Sequence, residues 1–401
     1  MSAAYDAQAI AHHMPARTLV GGRTGRTLAP LSARTWTRPG HRRYRWGARR
    51  TAGAGAAIAI VLVVVIVLVA LLAWVIFVSN YGSCTHDCPS PTPPQPAIQN
   101  QTLAAAYDSG RNELFVATMN NASHLGNVTV VSDTTYQVVA TVVVGYDPVA
   151  VAYDSARGEV FVANEDSDNV SVIADTSDAV VATVTLPGFS APDGLAYDPG
   201  RGEVFVAEGY AGNVSVISDT SDRVVANISV GGLPDAMVYD SGRGEVFVAN
   251  GSAVLGISDA TDTIVTSVSR GGMIASDLAY DSATGQIFVS ESGVNSFNVS
   301  VISDTSGAIV ASVDVGTVPN AVVFDSGRGE VFVTNGYNGN VTLISAATDR
   351  VNATIAAGGL PAYEVYDSGR GEVFVADSDS YNMSVISDTS NTVVATINVG
   401  P

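Results

Sequence analysis

One short phrase recurs seven times in this chain and constrains its fold more than any other feature. Each copy has an aromatic residue followed by Asp, then a Gly-rich turn and an apolar run that usually reads Glu-Val-Phe-Val. The copies begin 41 to 46 residues apart, at Tyr107, Tyr153, Tyr197, Tyr239, Tyr280, Phe324 and Tyr366. A regular period of this length indicates a repeat architecture in which each copy forms one structural unit.

Each repeat contains four strand-like segments separated by turn residues. The fourth copy shows the first two segments, at 236–239 and 245–249, and the third copy shows the last two, at 213–218 and 223–230. Consecutive residues of a strand face opposite sides of a sheet, yet the residues 246–248 are all apolar, so both faces must be covered. The sequence therefore predicts an all-β fold, a seven-bladed β-propeller of four-stranded antiparallel blades over residues 101–401.

The positions of the first and last segments predict how the ring closes. The first copy begins with an inner strand at about Leu103, and the seventh ends with the outer strand 393–399. Each blade is then complete in itself, so we expect no strand exchange between the termini and closure by packing of blade 7 against blade 1.

The second and third strands of the sixth copy carry a family resemblance. The segment 332–335, Phe-Val-Thr-Asn, and the strand 340–345 resemble the YVTN repeat of surface-layer-type β-propellers, found notably on archaeal cell surfaces. The resemblance spans 101–401, although Phe replaces the family's Tyr in every copy and the fourth residue varies as Thr118, Asn164, Glu208, Asn250, Glu291, Asn335 and Asp377. It implies a propeller at a cell surface, and it implies no particular activity.

Charge divides the chain into two unlike regions. Residues 1–50 contain ten Arg and one acidic residue, whereas residues 101–401 contain 36 acidic residues and nine Arg, and the chain has no Lys. The formal charges are therefore +9 (10 − 1) and −27 (9 − 36). An acidic domain is a poor partner for phosphate backbones, so nucleic acid is not expected to bind the propeller, whereas cations and basic partners are compatible with it.

An uninterrupted apolar stretch at 56–78 predicts a membrane anchor. Its 23 residues, at about 1.5 Å each, are long enough to cross a hydrocarbon core of roughly 30 Å. We predict a signal-anchor helix at 53–79, preceded by an Arg-rich, disordered cytoplasmic tail at 1–52. The Arg cluster before the helix places the N-terminus in the cytoplasm and the propeller outside the cell. A cleaved secretory signal is the alternative.

The segment 80–100 is predicted to be an extracellular stalk. Its Pro-rich run 89–96 favours an extended conformation. Cys84 and Cys88 are the only cysteines, and outside the cell they are expected to be oxidised, either to each other or between two chains as a homodimer. A metal bound by this lone pair is a weak alternative.

Comparison of the repeats distinguishes two faces of the predicted ring. The turns that join strands 1 to 2 and 3 to 4 are nearly identical between blades and form the repeated-turn face, where we expect Arg to pair with Glu or to cover apolar edges. The loops that join strands 2 to 3 and successive blades differ, and they form the variable-loop face. Function is often located on variable loops, although these loops could also be unconstrained. The predicted ligand- or partner-binding residues are Asp166, Asp168, Asp193, Glu208, Tyr210, Asp235, Asp277, Glu291, Tyr337, Asp377, Asp379 and Tyr381.

The propeller offers few residues for catalysis. It contains one His, His124, and no Cys or Lys, so nucleophilic catalysis is not expected and no catalytic residue is assigned. The predicted function is a membrane-anchored extracellular module for surface structure, adhesion or binding of a cell-envelope protein or glycan. The alternative is a Ca²⁺-dependent lactonase- or hydrolase-like enzyme, for which Asp193, Asp235 and Asp277 are predicted to approach the channel mouth. No cofactor other than Ca²⁺ is suggested.

Eleven Asn-x-Ser/Thr sequons suit an exposed, extracellular domain. Six of them fall at the same position of the repeat, near the start of the third strand, so duplication of one structural Asn would also produce the set. The candidate glycosylation sites are Asn100, Asn121, Asn127, Asn169, Asn213, Asn227, Asn250, Asn298, Asn340, Asn352 and Asn382.

Overall fold

The computed structural model describes residues 100–120, 123–251, 253–270, 274–292, 297–378 and 380–400. These residues form 28 strands. Blades 1 to 3 comprise β1 Asn100–Asp108, β2 Glu113–Asn120, β3 Leu125–Ser132, β4 Gln137–Tyr146, β5 Pro148–Asp154, β6 Glu159–Asn164, β7 Asn169–Ala174, β8 Ala179–Thr185, β9 Pro192–Asp198, β10 Glu203–Glu208, β11 Asn213–Ser218 and β12 Arg223–Ser229.

Blades 4 to 7 follow the same order. They comprise β13 Pro234–Asp240, β14 Glu245–Asn250, β15 Ala253–Ser258, β16 Thr263–Ser269, β17 Ile274–Asp281, β18 Gln286–Ser292, β19 Asn298–Ser303, β20 Ala308–Asp314, β21 Pro319–Asp325, β22 Glu330–Asn335, β23 Asn340–Ser345, β24 Arg350–Ala356, β25 Pro361–Asp367, β26 Glu372–Asp377, β27 Asn382–Ser387 and β28 Thr392–Asn398.

The strands form seven separate antiparallel sheets, each of four strands that are consecutive in sequence. The first strand of each blade packs against the first strands of its two neighbours, and β25 packs against β1 to complete the ring. The prediction of a seven-bladed propeller without strand exchange is confirmed.

Both faces of each blade are buried, and blade 3 shows how. Val204, Phe205 and Val206 of β10 have no solvent exposure. Phe205 packs in a cluster with Val246 of blade 4, whereas Val204 and Val206 pack in a cluster with Phe161 of blade 2. Burying a Phe side chain contributes about 1.5–3 kcal/mol, and seven such clusters join each blade to the next.

The Asp of each repeated phrase holds the turn that follows the first strand. In blade 4, the buried Asp240 Oδ1 accepts hydrogen bonds from the backbone N–H groups of Gly242 (2.8 Å) and Arg243 (3.1 Å). Gly244 then adopts φ +65°, and its N–H donates to the Asp240 carbonyl oxygen at 3.0 Å. A Cβ at Gly244 would lie 2.7 Å from an Asp259 carboxylate oxygen, so this position requires glycine for space as well as for φ.

The junction between blades 7 and 1 carries an additional side-chain contact. Tyr136 Oη donates to Glu372 at 2.8 Å and accepts from Arg370 at 3.1 Å, while the Arg370 guanidinium lies 5.5 Å from the centre of the Tyr136 ring. Tyr136 occupies the left-handed position of its turn, with φ +55°, where Asp222 occupies the same position in blade 3. The tyrosine at this position of blade 1 adds polar and cation–π contacts where the two ends of the ring meet.

Several predictions concern residues outside the described ranges. The tail 1–52, the predicted anchor 53–79 and the two stalk cysteines all lie there. Within the residues that are described, no helix has the length and apolar character needed to cross a membrane.

Candidate functional site: an acidic channel and loop face

The inner strands of six blades surround a cavity of about 150 Å³ at the centre of the ring. Asp193 of β9, Asp235 of β13 and Asp277 of β17 line this cavity. The structure therefore brings together the three carboxylates that the sequence placed near the channel mouth. They lie within the inner strands rather than before them.

Irregular pairing positions two of these carboxylates. In β9 the register shifts between Gly194 and Pro192, and Asp193 lies at the shift without a pairing partner. In β13 the register shifts between Pro234 and Met237, which includes Asp235. A bulge changes the direction of a side chain relative to a regular strand. Asp193 and Asp235 both line the channel from these irregular positions.

A fourth carboxylate, Glu364 of β25, completes the channel lining and was not predicted from the sequence. Both Glu364 carboxylate oxygens are buried, and neither makes a hydrogen bond of normal geometry. The Val323 N–H faces this carboxylate. By contrast, Asp277 accepts hydrogen bonds from the N–H groups of Val322 (2.9 Å) and Leu278 (2.8 Å).

The sequence contained a signal for Glu364. Counting back two residues from the repeated aromatic residue gives Leu195, Met237 and Leu278 in blades 3 to 5, and Glu364 in blade 7. Tyr363, which also lines the cavity, replaces the small residues found at its position in most blades. Alignment of the inner strands would have revealed both departures.

Burial and mutual repulsion disfavour the ionised forms of the channel carboxylates. Burial, with the charges of Glu165, Asp235 and Asp147, raises the pKa of Asp193 to about 8. Burial raises the pKa of Asp277 to about 7 and that of Asp235 to about 6. Asp235 is accessible to solvent within the channel, yet protein surrounds it on most sides.

The environment of Glu364 also disfavours the ionised form of its carboxyl group. Burial, with the charge of Asp277, raises the pKa of Glu364 well above its ordinary value. Burial also raises the pKa of the Tyr363 hydroxyl. Near neutral pH the channel therefore holds protons that a bound cation would displace.

The acidic surface extends from the channel onto the variable-loop face. A second cavity of about 300 Å³ is lined by Glu165, Asp193, Asp235 and the exposed Tyr210. Burial and the charges of Asp147, Asp166 and Asp235 raise the pKa of Glu165. We call this continuous surface the acidic track, comprising Asp147, Glu165, Asp166, Asp193, Asp235, Asp277 and Glu364.

The outer end of the acidic track could hold a metal ion. Ligand atoms of His124, Asp147 and Asp166 all lie within 4.8 Å of one another, and His124 Nδ1 is 3.5 Å from Asp166 Oδ2. Burial and the Asp166 charge raise the pKa of Asp147, whereas a charge on His124 would lower it. Imidazole and carboxylate ligands together are suited to a divalent transition metal.

The acidic track lacks basic partners among the residues that line the described cavities. No Arg lines either cavity. On the repeated-turn face, Arg201 and Glu203 pair at 2.9 Å, and the same pair recurs at Arg111–Glu113, Arg157–Glu159, Arg243–Glu245, Arg328–Glu330 and Arg370–Glu372. The two faces thus differ in charge compensation as well as in sequence variation.

Three predicted binding residues lie inside their blades instead of on the loop surface. Glu208 and Glu291 are fully buried and accept hydrogen bonds from Ser215 and Ser300, respectively. Asp377 is also buried. Glu208 and Asp377 end the second strands of their blades, and Glu291 is the next-to-last residue of β18. Ser215 and Ser300, which bond to the two glutamates, lie on third strands. The variation of these acidic residues between repeats therefore reflects polar contacts within the blade.

The remaining predicted binding residues have diverse environments. Asp168 accepts hydrogen bonds from the N–H groups of Ser190 (2.8 Å) and Ala191 (3.0 Å), so it braces a loop. Tyr210 and Tyr337 are 76% and 78% exposed, whereas Tyr381 is half-buried. Asp379 lies outside the described residues.

The repeated sequons have a structural role. Five of them begin strands, at Asn169, Asn213, Asn298, Asn340 and Asn382, and Asn127 lies within β3. Their hydroxyl residues are buried, and several bond to the preceding blade: Thr342 Oγ1 donates to the Val315 carbonyl at 2.7 Å and Ser384 Oγ to Ala357 at 2.9 Å. Inter-blade hydrogen bonding thus provides a reason for the repeat that is independent of glycosylation.

The other five sequons lie at different positions of the repeat and have different environments. Asn227 and Asn352 are exposed on outer strands and donate hydrogen bonds to Ser215 (3.2 Å) and Glu330 (3.1 Å), respectively. Asn250 donates to the Val230 carbonyl at 3.0 Å. Asn100 begins β1, and Asn121 lies outside the described residues.

Fold and site together define a seven-bladed β-propeller with an acidic central channel. No family model and no curated protein matches the chain. Among solved structures, hydrazine synthase of Kuenenia stuttgartiensis is similar at a TM-score of 0.55 and 17% identity, over 60% of this chain and 76% of that one. This likeness supports the propeller fold, and at such low identity it carries no further information about activity.

Proposed function

We propose that this protein is a cell-surface binding module whose acidic track binds a positively charged ligand. The observation that carries the proposal is the contrast in charge compensation between the two faces. Arg–Glu pairs occupy the repeated-turn face, whereas Asp193, Asp235 and Asp277 converge on the channel without a basic residue lining it. Convergent carboxylates in a concave, partly desolvated site attract cations more strongly than the same groups on an open surface.

The loops beside the track add contact surface. Tyr210 lines the outer cavity and is largely exposed, and such tyrosines supply large contact areas with a polar end. A basic segment of a cell-envelope protein, or an amino-substituted glycan, has the charge that this surface requires. The resemblance to YVTN surface-layer propellers and the apolar stretch at 56–78 support display outside the cell on a membrane anchor.

The test compares carboxylate removal on the two faces. The full-length protein in detergent is titrated with a Lys-containing peptide and with its fully acetylated form. The double variant Asp193→Asn and Asp235→Asn should weaken binding of the charged peptide at least tenfold. Asp222→Asn on the repeated-turn face removes the same kind of charge and is tolerated structurally, because Asn391 occupies the equivalent left-handed position in blade 7. Equal binding by both peptides would overturn the proposal.

Display outside the cell has a separate test. Protease added to intact cells should cleave the propeller and leave the Arg-rich tail protected, and glycopeptide mass spectrometry should find occupied sequons at exposed positions such as Asn227 and Asn352. A protected propeller without glycans would contradict the proposed topology.

The cluster of His124, Asp147 and Asp166 favours a second candidate, a propeller with a functional divalent cation, including the Ca²⁺-dependent lactonase- or hydrolase-like enzyme. Binding of a cation to the folded state alone should raise its stability by about 2.7 kcal/mol at 100 times the dissociation constant. Titration with Ca²⁺ and Zn²⁺ and then a chelator, followed by thermal unfolding, measures this effect. A midpoint that neither ion changes would eliminate this candidate.

A further inference from the structure

The channel contains a buried carboxylate, Glu364, whose nearest donor in the fold is the Val323 N–H. Both Glu364 oxygens are buried and make no hydrogen bond of normal geometry. The titratable groups around the channel are Asp193, Asp235, Asp277 and Tyr363, none of which is cationic. A buried polar group of this kind is rare in native structures unless a ligand, ion or water completes its contacts.

The wall of the cavity also contains aliphatic side chains. Leu195, Met237, Ala105 and Val151 line it beside the carboxylates. A hydrated ion gains nothing from these aliphatic groups, whereas the methylene groups of an organic cation are removed from water when they pack against them. The combination of acidic and aliphatic surface therefore matches a ligand with a charged head and an alkyl stem.

The spacing of the channel carboxylates does not suit a single metal ion. Hard cations gather several oxygen ligands at 2.3–2.6 Å. Among the described residues, the group of three His, Cys, Asp or Glu side chains whose ligand atoms lie within 4.8 Å of one another is His124, Asp147 and Asp166, which does not include the channel carboxylates.

An ammonium group satisfies the separated carboxylates better than a guanidinium does. Ammonium has three donors that point in different directions and can bond to Glu364 and Asp277 together, whereas the planar guanidinium favours two parallel bonds to one carboxylate. Asp277 already accepts one backbone hydrogen bond on each oxygen, from Leu278 and Val322. Each oxygen retains a lone pair, so Asp277 can contribute both charge and a hydrogen-bond acceptor to a ligand that also contacts Glu364 in the channel lining.

We propose that the channel is a receptor for an alkylammonium group, whose charged head binds between Glu364 and Asp277 and whose methylene stem packs on Leu195 and Met237. This inference rests on the proposed function and names the ligand class of the same site. The ligand is either the lysine side chain of a protein or a free diamine, since both present the same head and stem.

Binding should be coupled to proton release. Burial raises the pKa of Asp277 to about 7, so this carboxyl is partly protonated at neutral pH, and burial shifts the pKa of Glu364 in the same direction. An ammonium ion favours the ionised carboxylates, so protons leave as it binds. The reaction is an exchange of protons for a cation, and no covalent bond changes.

The experiment is isothermal titration of the full-length protein with four probes: 1,5-diaminopentane, a peptide with one lysine, the same peptide acetylated at that lysine, and the peptide with arginine in place of the lysine. Each titration is made at pH 7 in two buffers that differ in ionisation enthalpy, which measures the protons released. We expect the amines to bind and release protons, and the acetylated peptide to bind at least tenfold more weakly. Preference for the diamine or for the peptide identifies the source of the amine.

Two substitutions of Glu364 test the placement. Glu364→Gln keeps the shape of the side chain, and Glu364→Leu introduces the residue that Leu195 and Leu278 supply in other blades, so folding should be preserved. Both should weaken amine binding at least tenfold and reduce proton release, while Asp222→Asn should behave as the unmodified protein.

The possible failures are distinguishable. If Asp193→Asn with Asp235→Asn abolishes binding and both Glu364 variants bind normally, the alkylammonium site is wrong and the acidic track remains. If the arginine form of the peptide binds at least tenfold more tightly than the lysine form, the inferred ligand class is wrong. If no cationic probe binds the unmodified protein, both proposals are overturned.

Discussion

Strand β13 carries an aspartate near each end, and the two residues experience opposite environments. At the repeated-turn face, the buried Asp240 accepts two backbone hydrogen bonds and holds a turn. At the variable-loop face, Asp235 lines the channel, where burial raises its pKa to about 6. The first carboxylate is part of the scaffold. The second has a local environment that disfavours its charge, which is characteristic of residues retained for binding.

The largest effect is expected from removing the scaffold carboxylate. Asp240→Ala should lower the free energy of unfolding by about 3 kcal/mol, because it leaves the N–H groups of Gly242 and Arg243 without their acceptor and a cavity where the buried side chain stood. Asp235→Ala on the same strand should cost less than about 1 kcal/mol or stabilise the fold. Urea unfolding of both variants measures the difference. Equal losses in the free energy of unfolding would show that the carboxylates of the two faces contribute equally to stability.

The pH dependence of stability should come from the variable-loop face. The folded state raises the Asp193 pKa from 3.8 to about 8, so between these values it binds more protons than the unfolded chain. Stability therefore falls as the pH rises through this window. At pH 9 the free energy of unfolding of the Asp193→Asn variant should exceed that of the unmodified protein by ~2 kcal/mol, allowing for screening by channel water.

Urea unfolding at pH 4 and pH 9 provides the measurement. Asp235→Asn is the matched comparison, and its gain should be smaller because its pKa is raised only to about 6. A pH profile that Asp193→Asn leaves unchanged would contradict the assignment.

The closure of the ring should contribute a smaller, local effect. Tyr136→Phe removes the hydroxyl that donates to Glu372 and accepts from Arg370, and should cost about 1 kcal/mol. Tyr337→Phe, on an exposed tyrosine of the variable-loop face, is the control and should change nothing measurable. Thermal unfolding compares the two, and equal midpoints would show that the hydroxyl contacts do not stabilise the junction.

The smallest effect is expected from the exposed ion pairs. Arg201→Gln should lower stability by about 0.5 kcal/mol or less, and high salt should remove the difference. Arg370→Gln should cost more, since Arg370 also contacts Tyr136. If the two substitutions lower the free energy of unfolding equally at low salt, the Arg370–Glu372 pair of blade 7 adds nothing to closure of the ring.

The fold could be predicted almost completely from local patterns. The repeated aromatic-Asp phrase marks an inner strand and its turn, and the continuous apolar run at 246–248 requires cover on both faces. These properties depend on neighbours along the chain and on a period, so one sequence is sufficient to reveal them.

The site was predicted only in part. Asp193, Asp235 and Asp277 were found because they lie near the start of inner strands. Glu208 and Glu291 were assigned to the loop face because they lie where the second strand meets the loop to the third, yet their side chains are buried in the blade. A shift of one residue in register reverses the side on which a side chain lies, and the register at the strand ends depends on bulges and pairing partners.

The sequence by itself determined the number of blades, the strand order and the two kinds of loop, because each repeat encodes its own turns and apolar alternation. Only the tertiary structure decided which carboxylates meet. Glu364 and Asp277 are 87 residues apart in sequence, and closure of the ring places both at the lining of one channel. Their shared environment, which excludes much of the water and lacks a basic residue, arises from packing between blades that are distant in the chain.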